Sequence, residues 1–328
     1  MKGRGRLLLQ LTISVGIMVY FVSTIDFREA IRPIPPAGWG YFLLTALLAN
    51  GDRLMMAFKW NLLLQAKGLR VPFAEVLKSY YFGSFWGIVL PSSVGGDVVR
   101  VYRFAALTGA PGLVLSSVLI ERVLGLLANL TMVLVGAGLF YWYLRLGTPL
   151  LLVGAAAGLV AALSLFVLSL RTSLPLWLEH WLQSRGGKFG TRIRELFTAY
   201  QAYRNHSGTL VQFVGLSILE QGFPIVCTIL VARGLGLAIE PMVFLIFTPL
   251  IMGLSRIPIS FDGFGIREGM YVYALGLAGI PAADALVVGF LSHLVGNVSL
   301  LPGYVWSLVS SRASGSLAPK PADLEAKS

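Results

Sequence analysis

Apolar stretches recur along the whole 328-residue chain, separated by short polar or Gly/Pro-rich breaks. Residues 7–25, 39–64, 113–143, 150–170, 209–232 and 285–308 are each long enough to cross a hydrocarbon core of about 30 Å as a helix. Four more stretches, 76–90, 98–107, 242–257 and 269–277, are apolar but short. They fall in two pairs. The first is interrupted at Leu90-Pro91-Ser92-Ser93-Val94-Gly95-Gly96-Asp97, the second at Pro258-Ile259-Ser260-Phe261-Asp262-Gly263-Phe264-Gly265. Each pair reads as a re-entrant helical hairpin, whose irregular tip is tolerated only where it is buried in protein or lines a cavity. The expected fold is all-α and polytopic, with about six full transmembrane helices and two such hairpins.

The two breaks share a pattern, Pro-x-Ser-x-x-Gly-x-x-x-Arg, carried by Pro91, Ser93, Gly96 and Arg100 and again by Pro258, Ser260, Gly263 and Arg267. Upstream, Gly68-Leu69 with Pro72 parallels Gly236-Leu237 with Pro241, and Asp52 stands about as far before the first break as Glu220 before the second. Matched flanks at similar offsets point to an internal repeat, and the span count between the copies makes them opposite in orientation. The chain then divides into a first span and loop (1–36), repeat 1 (37–145), a linking span with a basic segment (146–208), and repeat 2 (209–310). All four form a single membrane domain, 1–310, and 311–328 reads as a disordered polar tail. Gly/Pro-interrupted segments paired in inverted halves point to a binding site near the midplane.

Composition agrees with the pattern. Apolar residues make up 56% of the chain and charged residues only 12%, about half the charged share of a soluble protein. The net charge of +11 invites a nucleic-acid reading, but its placement argues for membrane orientation instead. Lys2, Arg4 and Arg6 precede the first span, which lacks a small-residue cleavage site and is expected to stay uncleaved. Further basic clusters occupy 67–78 and 171–204, and the tail adds Arg312, Lys320 and Lys327. Sixteen Lys or Arg fall on one side and four on the other, which puts both termini in the cytoplasm. Segment 171–206, where Trp177, Trp181, Leu196 and Tyr200 punctuate the charges, suits interfacial helices. The single cysteine, Cys227, excludes a disulfide framework and reads as a small core residue.

Twelve charges fall inside the membrane segments: Arg53, Lys59, Arg100, Arg122, Arg256 and Arg267 against Asp52, Asp97, Glu121, Glu220, Asp262 and Glu268. Charge at that depth is costly, so it pairs or faces a polar cavity. Sequence neighbours such as Asp52 with Arg53, or Glu121 with Arg122, could simply neutralise one another, and Lys59, near a helix end, reads as a snorkelling side chain. Arg100 and Arg267 differ. Each sits near the start of a half-helix after a Gly-rich break, where free N–H donors favour an anion and a guanidinium adds a two-pronged phosphate grip. With Ser93, Gly95, Gly96, Ser260, Gly263 and Gly265 they form the expected lipid-phosphate site, although Asp97 could cap the first of these termini itself. Asp52, Arg53, Asp97, Glu121, Arg122, Glu220, Asp262 and Glu268 are the expected cavity charges. No metal-ligand spacing or phosphate-binding loop is present, His180, His206 and His293 are scattered, and no cofactor is expected.

At the two breaks, and at Glu121-Arg122-Val123-Leu124, the chain resembles the flippase-like membrane region of lysylphosphatidylglycerol synthases, over roughly residues 5–310. That family is bacterial and archaeal, which implies the cytoplasmic membrane. It also implies movement of polar lipids between leaflets, with relatives linked to lipid-carried sugars. No aminoacyl-transferring domain follows Ser310 here, so lysine transfer is not expected. The resulting expectation is a transporter of a phosphate-bearing lipid, such as a phospholipid, an aminoacylated lipid or a polyprenyl-phosphate species. Its partners would be anionic membrane lipids, without nucleic acid. The alternatives are a membrane-embedded transferase or hydrolase with Asp97 or Glu268 as base, and an accessory subunit presenting lipid to a separate synthase.

Overall fold

The computed structural model describes residues 12, 15–17, 19–21, 23–24, 34–89, 95–142, 149–172, 187–255 and 263–313. Every regular element among them is helical. The elements are α1 (Gly38–Ala66), α2 (Phe73–Val89), α3 (Gly95–Thr108), α4 (Pro111–Trp142), α5 (Pro149–Arg171) and α6 (Gly187–Gln201). A 3₁₀ turn, Ala202–His206, leads into α7 (Ser207–Glu220), α8 (Gly222–Gly234), α9 (Pro241–Ser255), α10 (Ile266–Leu277), α11 (Ala282–Val298) and α12 (Leu301–Ala313). Proline opens α4, α5 and α9, where its missing N–H costs nothing and its fixed φ suits the first turn.

The chain is an integral membrane protein. Four helical runs among the described residues are long and apolar enough to cross a bilayer: Pro111–Trp142, Pro149–Arg171, Ile193–Gly234 and Ala282–Trp306. They account for four of the six expected spans. Helix α1 has the length, at 29 residues, but carries Asp52, Arg53 and Lys59 in its second half. The first expected span, 7–25, is described only in part, and its described residues are helical. Two boundaries differ from expectation. The fifth span reaches back through the 3₁₀ turn into the basic segment, and the last helix runs on to Ala313, past the expected start of the polar tail. Residues 314–328 lie outside the described residues, as do residues 173–186 of the basic segment, Arg185 among them.

Over their described residues the short helices are close to the lengths that the sequence suggested. At 17, 14, 15 and 12 residues, α2, α3, α9 and α10 would rise roughly 25, 21, 22 and 18 Å, each less than the core needs. Helix α2 packs along α3, α3 on α4, and α1 on α2; in the second half α8 packs on α9, α9 on α10, and α10 on α11.

Helix α1 meets α7 and α8 in antiparallel register. Gly38 abuts the Gly234 carbonyl, Gly51 faces the Phe223 ring, Lys59 reaches Ser217, and the Leu63 carbonyl accepts from the Tyr203 hydroxyl at 3.0 Å. Asp52 and Glu220 flank the middle of this crossing. Small residues set the closest approaches, as in other membrane helix contacts. Gly136 of α4 lies on the Ile246 carbonyl of α9, and a Cβ on Gly253 would come 2.6 Å from Asn129 Oδ1. Asn129 also donates to the carbonyl of Pro249, a proline inside α9, at 3.2 Å. The apolar core is shared by three buried clusters, centred on Phe244 and Tyr271, on Leu124 and Phe213, and on Trp60 and Phe104.

Candidate functional site

Two glycines bring α2 and α3 together at the first break. A Cβ on Gly83 would come 2.8 Å from the Gly96 carbonyl and 2.9 Å from Arg100 Cβ, and one on Gly96 would strike the Gly83 carbonyl and Gly87. Nothing larger than hydrogen fits there, so the start of α3 is pressed against α2 and Arg100 is carried into the interior.

Arg100 is 3% exposed. Its Nη1 and Nη2 donate to the two Glu121 oxygens at 3.2 and 2.7 Å, and Nη2 also reaches Asp97 at 3.1 Å. The guanidinium carbon lies 4.5 Å from the Trp60 ring centre and 4.4 Å from that of Tyr80. The Tyr80 hydroxyl in turn donates to Glu121 at 2.6 Å, and Trp60 Nε1 donates to Ser117 at 2.9 Å. The planar fork that the sequence reserved for a phosphate is thus occupied by a carboxylate. Asp97 is not an isolated helix cap: it bridges Arg100 and Arg122. Four charges therefore alternate in one string, Glu121, Arg100, Asp97, Arg122, with no net charge.

Sequence neighbours pair in one case and not in the other. Arg53 lies 3.5 Å from Asp52 and also contacts the Met56 sulfur at 3.1 Å. Glu121 and Arg122, however, take separate partners, Arg100 and Asp97. Lys59 does not snorkel. It is 4% exposed, ion-paired with Glu220, bonded to Ser217 Oγ at 2.8 Å, and 4.8 Å from the Phe213 ring centre. One cation thereby joins the two halves across the α1 crossing.

At the second break, Gly263 and Gly265 have φ of 76° and 83°, a region open to glycine and costly for other residues. Glu268 is fully buried and accepts from the Gly265 N–H at 2.6 Å, closing the amino end of α10. Arg267 follows Gly265 by two residues, with one Nη 3.2 Å from where a Gly263 Cβ would stand. Ser93, Ser260, Asp262 and Arg256 lie outside the described residues. The Arg100 and Arg267 groups belong to separate helix pairs, α2–α3 and α9–α10.

With this geometry in place, comparison with known families gives one match: residues 7–303 match the family described as Lysylphosphatidylglycerol synthase TM region. The chain belongs to this family. No curated protein matches it. Membership makes it a membrane protein of a lipid-acting family, which agrees with the helices and the buried charge. Trp60, Tyr80 and Ser217 are site residues that the sequence did not single out. Aromatics and serines within apolar runs read as core, and only the packing reveals that they hold an arginine and a lysine. Among the described residues, no three His, Cys, Asp or Glu side chains come together as a metal site.

Proposed function

We propose that the protein moves a phosphate-bearing polar lipid between the leaflets of a bacterial or archaeal cytoplasmic membrane, with both termini cytoplasmic. The observation that carries this reading is the placement of two pairs of short helices on either side of the α1 crossing, with buried Arg100 of the first pair neutralised by Glu121 and Asp97. An inverted repeat supports it. The packing order α1, α2, α3, α4 is answered by α7–α8, α9, α10 and α11–α12, and α4 lies on α9 as α12 lies on α2. Antiparallel α1 and α7–α8 are the partners such a repeat needs.

In this mechanism the Lys59–Glu220 pair is the pivot about which the halves rock. A headgroup crosses along polar side chains while its tails stay in the bilayer. In the second half Arg267, with its guanidinium beside Gly263, is the described cation at the break. In the first half Arg100, filled by Glu121, organises the acidic groups rather than gripping the ligand. Transport is favoured over transferase or hydrolase chemistry because both candidate bases are engaged: Asp97 accepts from two guanidiniums and Glu268 closes its own helix.

Reconstitution tests this. Purified protein in liposomes should speed the exchange of fluorescent phosphatidylglycerol between leaflets, read by membrane-impermeant quenching, with the lipid recovered chemically unchanged. Protein-free exchange rates, or a converted lipid, would refute it.

A further inference from the structure

Resting on the transport reading, we propose that Arg122 is the headgroup contact, exchanging its bond to Asp97 for the phosphate of a lipid that enters sideways from the bilayer. On α4, Leu115, Leu119 and Leu126 are 36%, 41% and 46% exposed. Their spacing of four, then three and four through position 122, places Arg122 on the same helix face. Its side chain is 51% exposed. Val98 and Tyr102 of α3 carry the same surface alongside. In a membrane this face meets acyl chains. Arg122 stands roughly 17 Å along a 32-residue helix, about three largely apolar turns from its start, where a charge is costly unless paired.

The four-charge string supports exchange at this end and no other. Arg100 is buried, held by both Glu121 oxygens and sandwiched by Trp60 and Tyr80. Asp97 touches both arginines, so giving up Arg122 still leaves it paired with Arg100. A phosphate oxygen can then take the Asp97 position on the guanidinium, while the lipid tails lie along Leu115, Leu119 and Leu126. The start of α10 in the second half is covered instead: Cβ atoms on Gly265 and Gly269 would meet Ile17 and Phe21 of the amino-terminal helix at 2.9 and 3.0 Å. The exposed charged pair is therefore a feature of the first half.

Native mass spectrometry of the full chain in micelles doped with phosphatidylglycerol, with diacylglycerol as the phosphate-free control, tests the site. Arg122→Gln should retain phosphatidylglycerol about ten-fold less well, the scale of one lost charge-assisted bond, with diacylglycerol unchanged. Arg122→Lys should keep part of the retention, as a point charge without the fork. Asp97→Asn, which removes the competitor, should retain more than wild type. Equal retention in Arg122→Gln and wild type would overturn the assignment. So would displacement by inorganic phosphate as effective as by added lipid, which would mark an aqueous anion site. Wild type that binds through Arg122 but exchanges no lipid between leaflets would sink the transport reading and leave this site standing. Exchange that persists beside equal retention would do the reverse.

Discussion

Replacing Arg100 by alanine should destabilise the protein more than it affects any ligand. The substitution removes both donors to Glu121, one of the two guanidiniums on Asp97, and the cation between Trp60 and Tyr80. Breaking a buried ion pair from one side costs about 3–5 kcal/mol, because the remaining charge is left in a poor solvent. Two features hold the loss near the lower end: Glu121 keeps the Tyr80 hydroxyl at 2.6 Å, and Asp97 keeps Arg122. A loss of about 3 kcal/mol corresponds to roughly 6–12 °C in the melting temperature of a protein somewhat smaller than this one. Replacing both partners with apolar residues of similar size, Arg100→Met with Glu121→Leu, should recover most of it, since a paired buried charge is worth little against good packing. Thermal unfolding in detergent, followed by intrinsic tryptophan fluorescence, gives the ordering wild type, double, single. Arg100→Ala within about 1 °C of wild type, with phosphatidylglycerol retention abolished, would refute the structural role and restore Arg100 as the phosphate fork.

Lys59→Met should lower stability by about 3 kcal/mol by stranding Glu220, and Lys59→Met with Glu220→Gln should restore most of it in the same unfolding assay. Gly96→Ala should cost about 1–3 kcal/mol through overpacking against Gly83 and Gly87, whereas Gly125→Ala, with nothing within 4 Å of the new methyl, should match or exceed wild type in melting temperature. Cysteines placed at Lys188 and Gly147 on a Cys227→Ser background should label from the cytoplasm and from outside respectively, and the opposite pattern in intact cells would overturn the orientation.

The helical framework was legible because its signals are long and local. Apolar runs mark spans, and α2, α3, α9 and α10 came out close to their expected limits, although Pro249 is carried inside α9 rather than ending it. The pairing of charges was not legible, for a geometric reason. Residues adjacent in a helix point about 100° apart, so Glu121 turns inward to Arg100 while Arg122 turns outward to Asp97. Lys59 misled because it stands near the end of an apolar run, where a snorkelling lysine is the usual finding. Nothing in the run itself says that α7 will lay Ser217 and Glu220 beside it. Such contacts join residues some 160 positions apart, and no local pattern encodes them.

The two halves agree in packing and differ in chemistry. Both Gly-rich breaks lead into a short helix that carries an arginine, and each short helix packs on the longer one that follows. In the first half that longer helix supplies Glu121, and the arginine becomes an internal tie. In the corresponding stretch of the second half, Val288-Gly289-Phe290-Leu291, no side chain is charged. There Gly289 receives the Tyr271 ring, so closely that a Cβ would come within 2.7 Å of it. Glu268, the acid next to Arg267, closes the amino end of its own helix. One half thus carries a neutral string of charges that ends at the half-exposed Arg122, and the other carries an aromatic contact, with Gly265 and Gly269 set against Ile17 and Phe21. On the proposed transport reading a polar headgroup would meet the first half first, because Arg122 is half-exposed there while Gly265 and Gly269 of the second lie against Ile17 and Phe21.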